Sequence, residues 1–245
     1  MKIIPLSEGS FTIDKSKLFV PFDTAKDDLQ ARSVGSLLVE VQPFVVVTSE
    51  DILLLDTGLG FERNGIPQLH QNLMVAGINP GEVTKVLMSH LHKDHAGGIS
   101  HLDAQTKQYA LSFPAATYYV QRKEMDYARE KGFPSYITEE LNCLEDAQNI
   151  VWLDGDGVID GYIQYQLVGG HCPYHQVFRI VDGGETVFFG GDNAPQLQQM
   201  KSRFIAKYDA DGKRAMELRQ EWWQLGQAAN WQFLFYHDIK TPVFP

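Results

Sequence analysis

Four of the chain's eight histidines, His90, His92, His95 and His101, fall in one short run. Its core reads Ser89-His90-Leu91-His92-Lys93-Asp94-His95-Ala96-Gly97-Gly98. His90 and His92 stand two apart, so an extended backbone points both to one side. Asp94 and His95 follow where the chain can turn into a helix, and Gly97 and Gly98 let the backbone fold tightly beside them. Imidazole nitrogen and carboxylate oxygen suit zinc, and also iron, manganese, cobalt or nickel. One ion cannot conveniently take all four neighbours, whereas two can divide them. The plain alternative is a polar loop of solvated histidines. Three imidazoles and a carboxylate within six residues weigh against it.

The elements that must hold this run can be read around it. Ser36 to Thr48 is rich in Val, Leu and Phe and reads as strand, and Ile52 to Leu55 as a second, buried strand. The latter stops at Asp56-Thr57-Gly58, where a glycine permits a sharp change of direction. Ile66 to Gly77 reads as a short helix ended by its glycine. Asn79-Pro80-Gly81-Glu82 carries a helix-start signal, a capping Asn followed by proline. Lys85 to Ser89 is a short apolar strand that runs directly into His90. Thr117 to Val120 reads as strand and Lys123 to Lys131 as helix. Ile150 to Leu153, Tyr162 to Val168, Gln176 to Val181 and Thr186 to Phe189 read as four more strands. Asp211 to Ala229 has good helix formers and few breakers, and Trp231 to Tyr236 is an aromatic strand that delivers His237. Strands with interspersed helices in both halves point to a layered sandwich.

Bulk properties narrow the function classes. The 245 residues suit a single domain, 1–245. The formal net charge of -10 disfavours a partner such as nucleic acid, which requires a basic face. No stretch approaches the roughly 18 apolar residues of a membrane span. Met1 to Ser10 lacks the pattern of a secretory leader, and Cys143 and Cys172 do not form a disulfide framework. A cytoplasmic protein acting on a small molecule is the expectation.

His90-Leu91-His92-Lys93-Asp94-His95 resembles the His-x-His-x-Asp-His signature of the metallo-β-lactamase-fold superfamily. Asp56-Thr57-Gly58 resembles that family's Asp-x-Gly turn. Gly170-His171-Cys172-Pro173-Tyr174-His175 is similar to its Gly-His-Thr-Pro-Gly-His segment. Gly191-Asp192 matches its strand-end aspartate, and His237 its last histidine. The resemblance runs from about Ser36 to Asp238 in family order. It implies an α+β fold, a four-layer αββα sandwich with the metals at one edge between the sheets. It also implies a division of ligands. His90, His92 and His171 would hold the first ion, and Asp94, His95 and His237 the second. Asp192 and a water or hydroxide would bridge both. Asp56 would orient a ligand rather than bind metal. Taken singly, His171 reads equally well as a loop histidine, and Asp192 and His237 have plain readings as a turn aspartate and a buried, hydrogen-bonded histidine. His175 reads as supporting a ligand or as structural, His70 and His101 as ordinary, and Cys172 as a small packed residue. Cys172 and Tyr174 depart from the family's threonine and glycine.

The implied chemistry is that of a hydrolase with two divalent ions, zinc first among them. They would lower the pKa of bound water and polarise the bond under attack, with Asp94 orienting the nucleophile or handling a proton. Asp192 stands where exported β-lactamases of the family carry cysteine. Only eight residues follow His237, so the helical domain of glyoxalase II is not expected. His92 stands where flavodiiron members carry glutamate. The lactonase and organophosphate-hydrolase-like branch remains, and Tyr208-Asp209-Ala210-Asp211-Gly212-Lys213-Arg214-Ala215 resembles it. Quorum-signal lactonases commonly carry tyrosine three residues after the bridging aspartate, where this chain has Pro195. The expected substrate is a small ester or lactone. The alternatives are a phosphoester and a non-catalytic metal-containing ligand-binding module. Phe204 and Tyr208 are open between pocket and packing roles, whereas Trp222 and Trp223 read as packing.

Overall fold

Leu53, Leu54 and Leu55 have no accessible surface in the strand Ile52–Leu55. Side chains alternate across a strand, so both faces of this one are covered. Leu54 packs with Val86, Tyr118 and Val120 of neighbouring strands. Leu69 and Leu73 of helix Gln68–Val75 and Met125 and Ala128 of helix Arg122–Lys131 complete that cluster. Leu53 and Leu55 instead join Leu87, Phe178, Ile180, Val187 and Phe189 in a second core. A third lies beyond, where Val177, Phe188 and Phe233 meet Leu218 and Trp222 of the long helix Gly212–Ala229. Three apolar interfaces separate four layers, and the fold is an α+β αββα sandwich.

The computed structural model describes residues 1–245. The first sheet orders its strands Lys2–Pro5, Phe44–Val47, Ile52–Leu55, Lys85–Leu87, Thr117–Gln121 and Ile150–Leu153. Its first two pairings are antiparallel and the other three parallel. The second sheet runs Gly157–Ile159, Ile163–Leu167, Gln176–Asp182, Glu185–Phe189, Gln232–Leu234 and Val243–Phe244. Only Glu185–Phe189 and Gln232–Leu234 pair in parallel there. A smaller sheet of Phe19–Pro21, Gly9–Ile13 and Leu37–Val41 overhangs one edge of the sandwich.

Three local readings are corrected. Ser36 to Thr48 is two strands, Leu37–Val41 and Phe44–Val47, in different sheets. The run bends at Gln42-Pro43, where proline has no N–H to give a ladder. Helix Gln68–Val75 starts later than expected, because Ile66–Pro67 pairs with Glu62–Arg63. Asn79-Pro80-Gly81-Glu82 forms its capping box but continues only as the three-residue 3-10 turn Pro80–Glu82. Val83, 1% exposed, is drawn into the core there, and the chain enters strand Lys85–Leu87.

Candidate metal centre

The parallel strands end on the same edge, and their ends deliver the polar residues. Ile52–Leu55 leads into Asp56, Lys85–Leu87 into Ser89 and His90, Glu185–Phe189 into Asp192, and Gln232–Leu234 into His237. Lys93–Ala96 forms one short helical turn that places Asp94 and His95. Thr57 donates to the carbonyl of His95 from both N–H (2.7 Å) and Oγ1 (2.9 Å), locking this turn to the Asp56 loop. The contact explains the paired glycines. A Cβ on Gly97 would lie 2.4 Å from the Leu59 carbonyl oxygen, and one on Gly98 2.1 Å from that of Thr57. Gly191 adopts φ +48 between His175 and Ser89, a conformation and a space that favour glycine.

All seven residues expected as ligands come together. His90, His92 and His171 form one group of converging donor atoms, and Asp94, His95 and His237 another. His92 Nδ1 lies 3.0 Å from both His90 Nε2 and His171 Nε2. Asp94 Oδ2 lies 3.7 Å from His95 Nε2 and 3.5 Å from His237 Nε2. Asp192 reaches both groups. Its Oδ2 is 3.2 Å from His171 Nε2, and its Oδ1 is 3.0 Å from His95 Nε2 and from His237 Nε2.

The outer nitrogens show why this cluster fits metal. His95 Nδ1–H donates to Asp56 Oδ2 at 2.7 Å, His171 Nδ1–H to Asp209 Oδ1 at 2.9 Å, and His237 Nδ1–H to the Glu40 carbonyl at 2.6 Å. Ser89 Oγ–H donates to Asp56 Oδ2 at 2.6 Å, leaving the serine oxygen to accept from His90 Nδ1 at 3.0 Å. The Nδ1 of each ring is thereby occupied and its Nε2 is turned inward, where it can bind an ion once it carries no proton. His95 Nε2 and Asp192 Oδ1 are buried without a hydrogen-bond partner, although they lie close together. Two buried polar atoms left without a hydrogen bond are costly unless a third body satisfies them. Nitrogen and carboxylate donors at 3.0–3.7 Å separations suit ions with bonds of roughly 2.0–2.2 Å.

The electrostatics divide the cluster. Burial and then the neighbouring histidines hold His90 well below the ordinary histidine range. Burial followed by His171 does the same for His92. Burial opposes protonation of His95 too, but Asp192 and Asp94 outweigh it and push that histidine well above. Asp192 is held well below the usual carboxylate range by His237, His95 and His171, against the effect of burial.

Asp56 is fully buried; it accepts from Ser89 N–H at 2.6 Å and from His95 Nδ1, and reaches His90 through Ser89 Oγ, so its carboxylate stands within ligand distance of both rings. His175 is buried and accepts the Asp192 N–H at 3.2 Å. His70 lies outside the centre with its ring on Phe113 and Nε2 2.9 Å from the Ser112 carbonyl. His101 sits on the edge strand Ser100–Leu102. Cys172 is buried, its thiol directed at the buried Glu124 carboxylate at 3.5 Å.

Sequence reasoning passed over Asp209 as a partner of His171. It also missed Tyr236, which stacks on His95 with centroids 4.0 Å apart and donates to the Asp94 carbonyl at 2.7 Å. Asp209 lay inside a segment noted for its family likeness, but no spacing ties it to a histidine 38 positions earlier.

The centre forms part of the wall of a cavity of about 680 Å³. Ile13, Phe19, Leu37 and Val39 of the overhanging sheet face it from one side, and Phe204 and Tyr208 line it as well. Trp222 and Trp223 pack in or against the core beneath the long helix.

The model of the metallo-beta-lactamase superfamily matches residues 39–226. N-acyl homoserine lactonase AttM of Azorhizobium caulinodans is 32% identical over 117 residues, which are 42% of this chain and 38% of that protein. The AttM of Agrobacterium fabrum matches to the same extent. The chain thus spans about two fifths of the length of these curated relatives. A probable metal-dependent hydrolase from Staphylococcus aureus superposes with a TM-score of 0.79 at 19% identity, covering 99% of this chain and 91% of that one. AidC, a dizinc quorum-quenching lactonase in complex with a product, gives 0.72 at 20% identity, with 98% and 88% covered. At these identities the structural likenesses establish the fold.

Proposed function

The chain belongs to the metallo-beta-lactamase superfamily, and from that premise we propose that it is a metal-dependent hydrolase of a small ester or lactone. One domain, residues 1–245, carries the activity in this reading. The observation that carries the proposal is the convergence of seven ligands on the wall of an open cavity. Structural metal sites are closed by protein ligands, whereas catalytic ones keep a face open. Here the side chains of Asp94 and Asp192 retain 13% and 11% of their surface, and His92 lines the cavity. That openness favours catalysis over a binding module. The lactonases among the relatives and the structural neighbours support the choice of bond.

His90, His92 and His171 would hold one divalent ion, zinc first among the candidates, and Asp94, His95 and His237 a second, with Asp192 serving both. When bound, such a pair lowers the pKa of water toward neutrality and polarises a carbonyl oxygen. The residues around it have separable tasks. Asp56, Asp209 and the Glu40 carbonyl keep the histidine rings oriented. Asp94 faces the cavity and can accept the proton released from the attacking water and return it to the leaving alkoxide. The Tyr208 phenol is pushed up to about 12, chiefly by burial, so it stays protonated at neutral pH. It lines the same cavity as Pro195 and its ring stands 6.1 Å from that of His171. A protonated phenol there can donate to the substrate's carbonyl oxygen as charge develops on it, the task that Pro195 has no group to perform.

The test is a panel of lactones, aryl esters, thioesters, phosphotriesters and oligonucleotides, with protein loaded with zinc, manganese or iron. Turnover of lactones or aryl esters is expected. Cleavage confined to phosphotriesters or oligonucleotides would overturn the assignment. No turnover with both ions bound would favour the binding module.

A further inference from the structure

The cavity wall is basic on a chain whose net charge is -10. Lys15, Lys17, Lys93 and Lys207 all line it. They come from three separate segments: the tip of the hairpin between Gly9–Ile13 and Phe19–Pro21, the metal motif, and the loop before the long helix. Three carboxylates line the cavity, Asp14, Asp94 and Asp192, and no glutamate does. Asp94 and Asp192 belong to the metal centre. Asp14 is turned into its own hairpin, where its Oδ1 accepts from Ser16 N–H at 2.8 Å and Ser16 Oγ–H at 2.6 Å.

None of the four ammonium groups forms an ion pair. Of the nine lysines elsewhere, Lys26, Lys85, Lys123, Lys131 and Lys213 have a carboxylate within salt-bridge distance and four do not. Lys93 instead stands near two aromatic rings, 5.9 Å from the centroid of Phe19 and 5.8 Å from that of Phe133. Lys17 is set by a left-handed residue conformation, φ 60, in a turn closed by its N–H on the Asp14 carbonyl at 3.0 Å. Ammonium groups gathered around a partly apolar cleft, with no carboxylate in salt-bridge contact, focus an attractive field on an incoming anion.

We propose that the substrate is an amphiphilic anion: an ester or lactone that carries a carboxylate or another acidic group away from the bond that is cleaved. Lys17, Lys93 and Lys207 receive that group, and the apolar wall of Ile13, Phe19 and Phe204 receives the chain linking it to the reacting carbonyl. The proposal rests on the hydrolase reading for the bond cleaved and on the lysines for the charge. It also gives a small cavity a way to gather an acidic substrate although the whole chain is acidic.

Two aryl esters of equal length provide the test, the p-nitrophenyl monoester of adipic acid and its methyl-capped neutral counterpart. The readout is the ratio of their kcat/KM values on the metal-loaded protein. The anionic ester is expected to be favoured roughly threefold to tenfold at low salt, with the ratio falling toward one at about 1 M salt. Lys17→Gln and Lys207→Gln should each lower the ratio, and Lys131→Gln, at an ion-paired lysine, should not. A ratio of one at low salt, or one unmoved by Lys17→Gln and Lys207→Gln together, overturns the proposal. Calorimetric titration with hexanesulfonate and with hexanol keeps the question open to decision if neither ester is cleaved. Sulfonate binding that weakens in the double variant supports the anion site while the hydrolase reading fails. Equal binding by variant and parent, or none, overturns the site itself.

Discussion

Removing the carboxylate of Asp209 tests whether the ligand histidines are held from behind. Its side chain is 2% exposed, and Oδ1 lies 2.9 Å from His171 Nδ1. His171 is otherwise fixed mainly through its backbone, whose N–H donates to Asn193 Oδ1 at 3.0 Å. In Asp209→Ala the ring N–H loses its acceptor, and the ring is free to turn its inner nitrogen off target. Loss of such a supporting partner costs about 10–100-fold in metal affinity, or roughly 1.4–2.7 kcal/mol. The loss should fall on one site of two, because His95 and His237 are supported by Asp56 and Glu40 instead. Asp209→Asn retains an oxygen acceptor without the charge and should lie between parent and alanine variant. The assay is competition for zinc against a chromophoric chelator, fitted to two sites, with circular dichroism to verify the fold. Unchanged affinity at both sites, or equal weakening of both in a folded variant, would refute the reasoning.

Two more outcomes follow from the same structure. Asp192→Ala should drop the metal content below two equivalents and remove most activity while the chain still folds; elemental analysis showing two equivalents with normal turnover would exclude a shared ligand. Glu8, 5% exposed, has its carboxyl pushed up to about 7 by burial, against the Leu59 N–H bond of 2.6 Å. The folded state then holds a proton that the unfolded chain releases near its ordinary value of 4.5. Stability is therefore greatest below that value and falls as pH rises toward 7, by about 3 kcal/mol in all. Glu8→Gln should flatten this slope in denaturant titrations between pH 5 and 8, and an unchanged slope would count against the assignment.

How much of the site could be read from the sequence depended on whether chemistry restricts residue type. His90, His92, Asp94 and His95 were legible because few other roles require three imidazoles and a carboxylate so close together. Asp192, His171 and His237 gained meaning only through their order along the chain, since each alone has a bland reading. Asp209, Tyr236 and the Glu40 carbonyl were illegible for a physical reason. A supporting acceptor can be any oxygen that packing brings to an imidazole, including a backbone one, so composition carries no trace of it. The same asymmetry holds for the fold. The buried strand Ile52–Leu55 and the long helix were plain from their patterns. The edge strands Gly157–Ile159 and Val243–Phe244 were not, because runs of only two or three residues take their conformation from the neighbouring strand. At Asn79–Glu82 the cap was read correctly and the helix was not, because a cap satisfies N–H groups at the start of a turn and carries no information about length.

The origin of the ligands bears on how the centre is kept in shape. His90, His92, Asp94 and His95 follow a strand of the first sheet, whereas His171, Asp192 and His237 follow strands of the second. Each proposed ion therefore takes ligands from both halves of the sandwich, and its coordination depends on the spacing between the sheets. That spacing is set by Leu55, Leu87, Phe178, Phe189 and Tyr236, all buried in the core between them. Tyr236 does both tasks at once: it belongs to this core, stacks on His95 and donates to the Asp94 carbonyl. Interiors packed as densely as crystals transmit a change of one methylene to their neighbours. The distances within the ligand cluster are thus a property of the inter-sheet core as much as of the loops that carry the ligands.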